Sequence, residues 1–213
     1  MPYSTFGFTD EQILMRDSVL GLMQRILPPE KIAELDRERK FPHEAYQALA
    51  RGGWLTLPHN KDHGGMDASH KDLAVFIEAL GYHHPGIRVS FMSTAVYGGL
   101  YLQNLGDSSL KAELMGGMQD GSIRTAIAFS EPDSGSDAAG IRTRAARDGD
   151  DWVISGQKVY VTNAHEADYL VVSAKTDRDA GRRGLSLFMV DTARPGFETR
   201  PMDPLGSRST LLN

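Results

Sequence analysis

The sequence predicts an α+β protein, with an N-terminal all-α helical bundle over residues 1–120 and an antiparallel β-barrel or sheet domain over residues 121–213. Two observations carry this expectation. Apolar residues recur at helical spacing through the first part of the chain, the pattern of helices that bury one face. After Gln119-Asp120-Gly121-Ser122 the period becomes two, and turn residues divide the remainder into short β-rich runs. With 213 residues, 40% hydrophobic and 24% charged, the chain has the composition of a soluble globular protein and the length of one large domain or two small ones.

The elements follow in order. Thr9-Asp10-Glu11-Gln12 is a capping-box pattern, and Ile13, Leu20, Met23 and Leu27 behind it keep helical spacing. The charged stretch PPEKIAELDRERK reads as a short exposed helix. Pro42 suits a first helical turn, and that segment stops at Gly52-Gly53. Ser69 starts a helix whose stripe is Leu73, Phe76, Ile77 and Leu80, with Gly81 as its expected end. Residues 87–105 and 108–118 also read as helical. Beyond them Ile123, Thr125, Ile127 and Phe129 alternate with smaller or polar residues as a strand does. RTRAARDGDDWVISG reads as a hairpin around Asp148-Gly149-Asp150, followed by β-rich KVYVTNA, DYLVVSAKT and GLSLFMVD. TDRDAGRRG (176–184) reads as a hairpin loop.

Composition also excludes function classes. Without cysteine there are no disulfides, thiolate metal sites or cysteine nucleophiles, which fits a reducing cytoplasm. A net charge of −5 with no basic run argues against nucleic acid or anionic lipid as partners. No apolar stretch approaches the ~20 residues of a membrane-spanning helix, so no membrane insertion is expected. The N-terminus lacks a signal-peptide pattern. Neither a dinucleotide fingerprint nor a P-loop occurs. His59 and His63 stand in a loop and His83-His84 follow a helix stop. Solvated or capping roles are expected of them, and no metal.

Two stretches carry more chemistry than their local structure requires. AIAFSEPDSGSDAAG (126–140) ends a strand in a loop rich in hydroxyls and carboxylates, with Ser130 and Ser136 as donors and Gly135 permitting an unusual backbone angle. SGQKVYVTNA (155–164) places Tyr160 and Thr162 two apart, on one face of a strand, an aromatic plane beside a hydroxyl. Such a pair suits a flat heteroaromatic ring, although Tyr and Thr are also ordinary strand formers.

Together, FSEPDSGSD and the downstream GQKVYVTNA resemble the paired signatures of the acyl-CoA dehydrogenase flavoprotein family, T-E-P-x-x-G-S-D and N-G-x-K-x-[WY]-I-[ST]-N. FTDEQ near the start and GGWLTLPHNKDHGGM (52–66) are similar to the family's helical half, so the resemblance covers essentially all of the chain. It implies FAD as cofactor. Ile127, Phe129 and Ser130 match the strand and hydroxyl beside the flavin's pyrimidine edge, with Ser130 in place of the usual Thr. Gly135 and Ser136 match the loop contacting cofactor phosphate or acyl-CoA, so Ser136 is also the expected substrate contact. Tyr160, Val161 and Thr162 match the segment packed on the flavin. Glu131, Asp137, Lys158 and Asn163 are expected to shape the loop rather than react.

The reaction implied is FAD-dependent α,β-dehydrogenation of an acyl thioester to a trans-2-enoyl thioester, an oxidation of a CH–CH bond. The thioester partner is acyl-CoA or an acyl-carrier protein, an electron-transfer acceptor follows, and the full-length form is expected to be a cytoplasmic homo-oligomer. In the family the general-base Glu lies in a C-terminal helical domain, so no catalytic residue is expected within this chain, and the β-domain is expected to be incomplete. Inactivity as a truncated product is the expectation. The alternatives are a natural short, non-catalytic subunit completed by a second chain, or a flavin monooxygenase on the same fold.

Overall fold

The computed structural model describes residues 7–203. Helix α1 (Asp10–Ile26) opens on the capping box read from the sequence: Thr9 Oγ1 accepts from Gln12 N at 3.2 Å, and Gln12 Oε1 accepts from Thr9 N at 3.1 Å. Helices α2 (Pro29–Glu38) and α3 (His43–Arg51) follow, then α4 (His70–His83). Helix α4 has its own box, in which Ser69 Oγ accepts from Asp72 N while the Asp72 carboxylate accepts from Ser69 N. Gln12 Nε2 donates to Asp72 Oδ1 at 2.7 Å, so the starts of α1 and α4 are tied together. Between them Val19, Met23 and Leu27 pack in one cluster with Leu73, Phe76 and Leu80.

Gly81 does not end α4, which continues to His83. The missing side chain instead makes room for Arg88, whose Cδ would lie 2.8 Å from a Cβ at that position. His84 then caps α5 (Pro85–Phe91), its Nδ1 accepting from Ile87 N at 3.2 Å. A π-helical stretch (Met92–Gly98) joins α5 to α6 (Gly99–Leu105), and α7 (Ser108–Asp120) completes the helical half.

The second half is a five-stranded sheet: β1 (Thr125–Ala128), β2 (Arg144–Asp148), β3 (Asp151–Ser155), β4 (Tyr169–Lys175) and β5 (Leu185–Asp191). The order is β1-β4-β2-β3, with β5 on the other side of β4. This corrects the antiparallel expectation, because the sheet is mixed. β2–β3 and β4–β5 are antiparallel hairpins, while β1 and β2 both run parallel to β4. The hairpin read around Gly149 is present, with Asp148 paired to Asp151 and Gly149 at φ +61. Among the described residues the sheet does not close into a barrel.

Alternation along β1 sets how the halves meet. Ala126 and Ala128 point into a cluster with Val161, Ala164, Ala167, Leu170 and Val172. On the opposite face Ile123, Tyr169 and Met189 pack on Leu102, Leu114 and Met118 of α6 and α7. Thr125 joins the π stretch directly, with its N–H donating to Thr94 Oγ1 at 3.0 Å and its hydroxyl to Ser93 O at 2.8 Å. A π turn frees carbonyls for outside partners. Ala95 O, likewise, faces His59 Nε2 at 2.9 Å. Gly98 and Gly99 let the helix approach these neighbours, since a Cβ at Gly98 would collide with Thr125 Oγ1 and one at Gly99 with His59 Nε2.

Candidate functional site

Residues Ile127 to Ser130 continue β1 along its free edge, since among the described residues β1 pairs with β4 alone. In a parallel ladder each residue sends both backbone groups to the same side, and successive residues alternate. Thr125 N faces away from β4, toward Thr94, so the N–H of Ile127 faces outward as well. Ile127, Phe129 and Ser130 are half-buried, and the Phe129 ring stacks on Tyr101 of α6 at 6.3 Å between centroids.

The loop after Ser130 is a tight turn. Glu131 and Ser134 exchange both backbone hydrogen bonds, and Ser134 Oγ donates to Asp137 O at 2.6 Å. Gly135 differs from its expected role: its φ is not positive, and a Cβ there would meet open space. Ser136 and Gly135 are exposed, on the far side of the turn, and no hydrogen bond joins them to the other sequence-predicted positions among the described residues. Asp137 Oδ1 accepts from Ala139 N, a loop-forming role as expected.

Glu131 shapes the loop as the sequence suggested. Its carboxylate is buried and accepts from Arg142 N at 2.6 Å, Thr143 N at 2.9 Å and Lys158 Nζ at 2.8 Å. Burial pushes this carboxyl up, but the hydrogen bonds from Lys158, Thr143 and Arg142 outweigh it and bring the pKa down to about 2. A carboxylate held so firmly in its ionised form is a poor proton acceptor. Lys158 Nζ also donates to Phe129 O at 3.1 Å and Ser173 Oγ at 3.1 Å, and burial lowers its own pKa.

The two signatures are joined here. Val159 N donates to Ser130 O at 2.9 Å beside the Lys158 contacts, which brings the Tyr160 segment against the end of β1. The segment is not the regular strand that alternation predicted. Residues 156–163 lie outside the named strands, and Tyr160 (φ 59) and Asn163 (φ 61) adopt left-handed backbone. A bulky residue there is unusual and is held by its surroundings. Val161 is buried against Ala126 and Ala128, while Tyr160 is 63% exposed and Thr162 half-buried. Asn163 serves the seam rather than the loop, its Nδ2 donating to Ser90 Oγ of α5 at 2.9 Å.

His59 departs from the solvated role expected of it. It is fully buried, Nε2 donating to Ala95 O and Nδ1 accepting from Gln119 Nε2 at 3.2 Å, and burial lowers its pKa. His84 is a cap, though of the start of α5 rather than of the carbonyl end expected, and His83 lies within α4 with its Nε2 2.8 Å from Leu27 O. No group of three or more His, Asp or Glu residues is placed to hold a metal ion among the described residues. No helix among them is long and apolar enough to cross a membrane.

Sequence reasoning missed Thr94, Ser90 and Tyr101 beside the site. A signal was present in Gly98-Gly99, since two glycines inside a helix cost stability unless something must come close.

A chain with helices stacked on a mixed sheet, and two joined loops at one strand edge, is of a recognisable class. The acyl-CoA dehydrogenase N-terminal domain profile matches residues 9–122, and the acyl-CoA dehydrogenase middle domain profile matches residues 126–212. The chain belongs to the acyl-CoA dehydrogenase family. It is 30% identical to acyl-CoA dehydrogenase FadE29 of Mycobacterium tuberculosis over 199 residues, 91% of this chain and 50% of the relative. It is 34% identical to cyclohex-1-ene-1-carbonyl-CoA dehydrogenase of Geobacter metallireducens over 190 residues, 89% of this chain and 50% of that protein. Among solved structures, a glutaryl-coenzyme A dehydrogenase complex with glutaryl-CoA superposes with TM-score 0.90 at 26% identity, covering 97% of this chain and 53% of the other. The chain thus spans about half the length of the curated relatives it matches.

The residues present fit a flavin. The outward N–H of Ile127 offers a donor at a strand edge, and the hydroxyls of Ser130 and Thr162 have no internal hydrogen-bond partner among the described residues. The exposed Tyr160 ring supplies an aromatic surface on the segment bonded to Ser130.

Proposed function

We propose that these residues form the cofactor-facing part of an FAD-dependent acyl-CoA dehydrogenase that converts an acyl thioester to a trans-2-enoyl thioester. The observation that carries the proposal is the joining of the two signatures at one strand edge, through Val159 N to Ser130 O and Lys158 Nζ to Phe129 O. When bound, FAD supplies the two-electron acceptor that takes hydride from the acyl Cβ.

The chain's own groups bind and orient. The Ile127 N–H and the Ser130 hydroxyl donate to the pyrimidine edge, where preorganised donors stabilise developing negative charge. Phe129 and Val161 would steady that edge by packing, Tyr160 would offer its aromatic surface to the flavin, and Thr162 would offer its hydroxyl. Gly135 and Ser136 contact the phosphates or the thioester carrier, which is CoA or an acyl-carrier protein. Glu131 is committed to its three donors, so it is not the group that takes the proton from the acyl Cα. The helical and β units meet near residue 121. Electrons pass to a separate acceptor protein, and the working form is a cytoplasmic homo-oligomer.

The test is a flavin absorption titration of the purified chain. A saturable band shift on adding FAD, weakened in Ser130→Ala and Thr162→Ala, is expected. No shift at any FAD concentration up to high micromolar would overturn the proposal.

A further inference from the structure

On the sheet, away from the two signatures, β2 and the end of β4 border a groove of about 490 Å³. Its walls carry Arg144, Arg147, Lys175 and Arg178, with Trp152 and Thr176 beside them, and no carboxylate lines it. This is a concentration of positive charge on a chain whose net charge is −5.

The charges are not neutralised internally. Arg147 is engaged, its guanidinium 4.3 Å from the Trp152 ring centroid and its Nη1 donating to Asp150 O. Arg144, Lys175 and Arg178 form no ion pair among the described residues. Arg144 and Lys175 are moreover direct partners across the β2–β4 ladder, and like charges opposite one another destabilise a sheet. In the loops beside the sheet cations take acids: Arg142 pairs with Asp133, and Arg194 with Asp191 at the end of β5. The groove therefore combines a like-charge pairing with a concavity of small-molecule size.

We infer that this groove binds a phosphate-bearing anion, a nucleotide or an inorganic polyphosphate, through Arg144, Lys175 and Arg178. Guanidinium forks match phosphate oxygens bidentately, and an anion seated between Arg144 and Lys175 converts their repulsion into two attractions. Trp152, held edge-on to Phe188 at 5.4 Å, walls the groove with an aromatic surface.

Calorimetric titration of the chain at low salt, with ADP in one arm and inorganic tripolyphosphate in the other, tests this. At least one ligand is expected to bind saturably with Kd below about 1 mM. Tighter binding of ADP identifies the nucleotide as the source, and tighter binding of tripolyphosphate identifies polyphosphate. Arg144→Gln and Arg178→Gln are each expected to weaken binding about tenfold or more, with unchanged melting temperature because both side chains are exposed. Arg51→Gln, at an exposed position on α3, and Ser130→Ala are expected to leave it unchanged. Absence of saturation with both ligands overturns the inference. So does an equal loss in Arg51→Gln, which would mean unspecific charge attraction. A loss in Ser130→Ala with none in Arg144→Gln overturns it too, because the anion then sits at the flavin signatures. ADP is also a moiety of FAD and of CoA, so a loss in Ser136→Ala with none in Arg144→Gln likewise overturns the inference, while the flavin band alone judges the proposed FAD site.

Discussion

The two halves are held together by different means. Every one of the largest fully buried side chains, among them Tyr46, Phe76, Phe91, Leu49 and Met118, lies in the helical half. The sheet half buries mainly small residues, such as Ala126, Ala128, Ala145, Ala164 and Ala174. It also buries polar groups around one ion pair, Glu131, Ser134, Thr143 and Ser173. Apolar burial contributes roughly 25 cal/mol per Å², so alanines contribute little and leave order to directional contacts. A strand edge kept free for a ligand cannot also be sealed with large side chains. The helical half supplies stability, and the sheet half holds groups in place.

The largest expected effect breaks that contrast at its polar centre. Lys158→Met leaves Glu131 buried without its cation and is expected to cost about 3–5 kcal/mol. The chain carries one tryptophan per half, Trp54 and Trp152, so single-tryptophan variants report on each. In urea, the Trp152 transition of Lys158→Met is expected to move to lower denaturant while that of Trp54 lags behind. Coincident shifts of equal size would show a single cooperative unit.

Acidification should separate the halves next. Against the upward push of burial, its three donors hold the folded carboxyl of Glu131 down at about 2, from an ordinary value of 4.5. Its contribution is full above pH 4.5 and lost as pH falls toward 2. His59 and His84 are buried with lowered pKa values, so the unfolded chain takes up protons below about 6.5 that the folded one refuses. His165 in the sheet half is lowered by burial as well, so the Trp54 transition, with both His59 and His84 behind it, is expected to weaken more than that of Trp152 between pH 7 and pH 5, before Glu131 titrates. Equal weakening of Trp152 over that interval would contradict the division.

At the seam, Gly98→Ala should reverse the usual sign. Alanine normally stabilises a helix by about 1 kcal/mol over glycine. Here its Cβ collides with Thr125, and a loss of about 1–3 kcal/mol is expected in thermal melts. The smallest effect lies far from the sheet. Thr9→Ala removes one cap and is expected to cost about 1 kcal/mol, seen in Trp54 alone.

What was legible in the sequence followed range. Thr9 with Gln12, Ser69 as a helix start and the Gly149 hairpin are local patterns, and the molecule uses each as written. Parallel pairing of β1 with β4 joins Thr125 to Tyr169, a choice that no local periodicity encodes. Alternation failed at Tyr160 because the left-handed backbone there follows from the Lys158 and Val161 contacts, not from propensity. His59 looked solvated in a Pro, Asn and Gly-rich loop, yet Gly65 and Gly99 let that loop fold against α6 and α7. The motifs were visible, and what they touch was not.

The π stretch from Met92 to Gly98 has a consequence for changes in chain length. Removing one residue there would restore ordinary α-helical spacing, a change that looks harmless in composition. The residue lost is the extra one that the π turn accommodates, so the helix after it keeps nearly its present direction. The carbonyls of Ser93 and Ala95 would return to the helix ladder, and Thr125 and His59 would lose the acceptors they now use. At this position a change of count undoes both contacts at once.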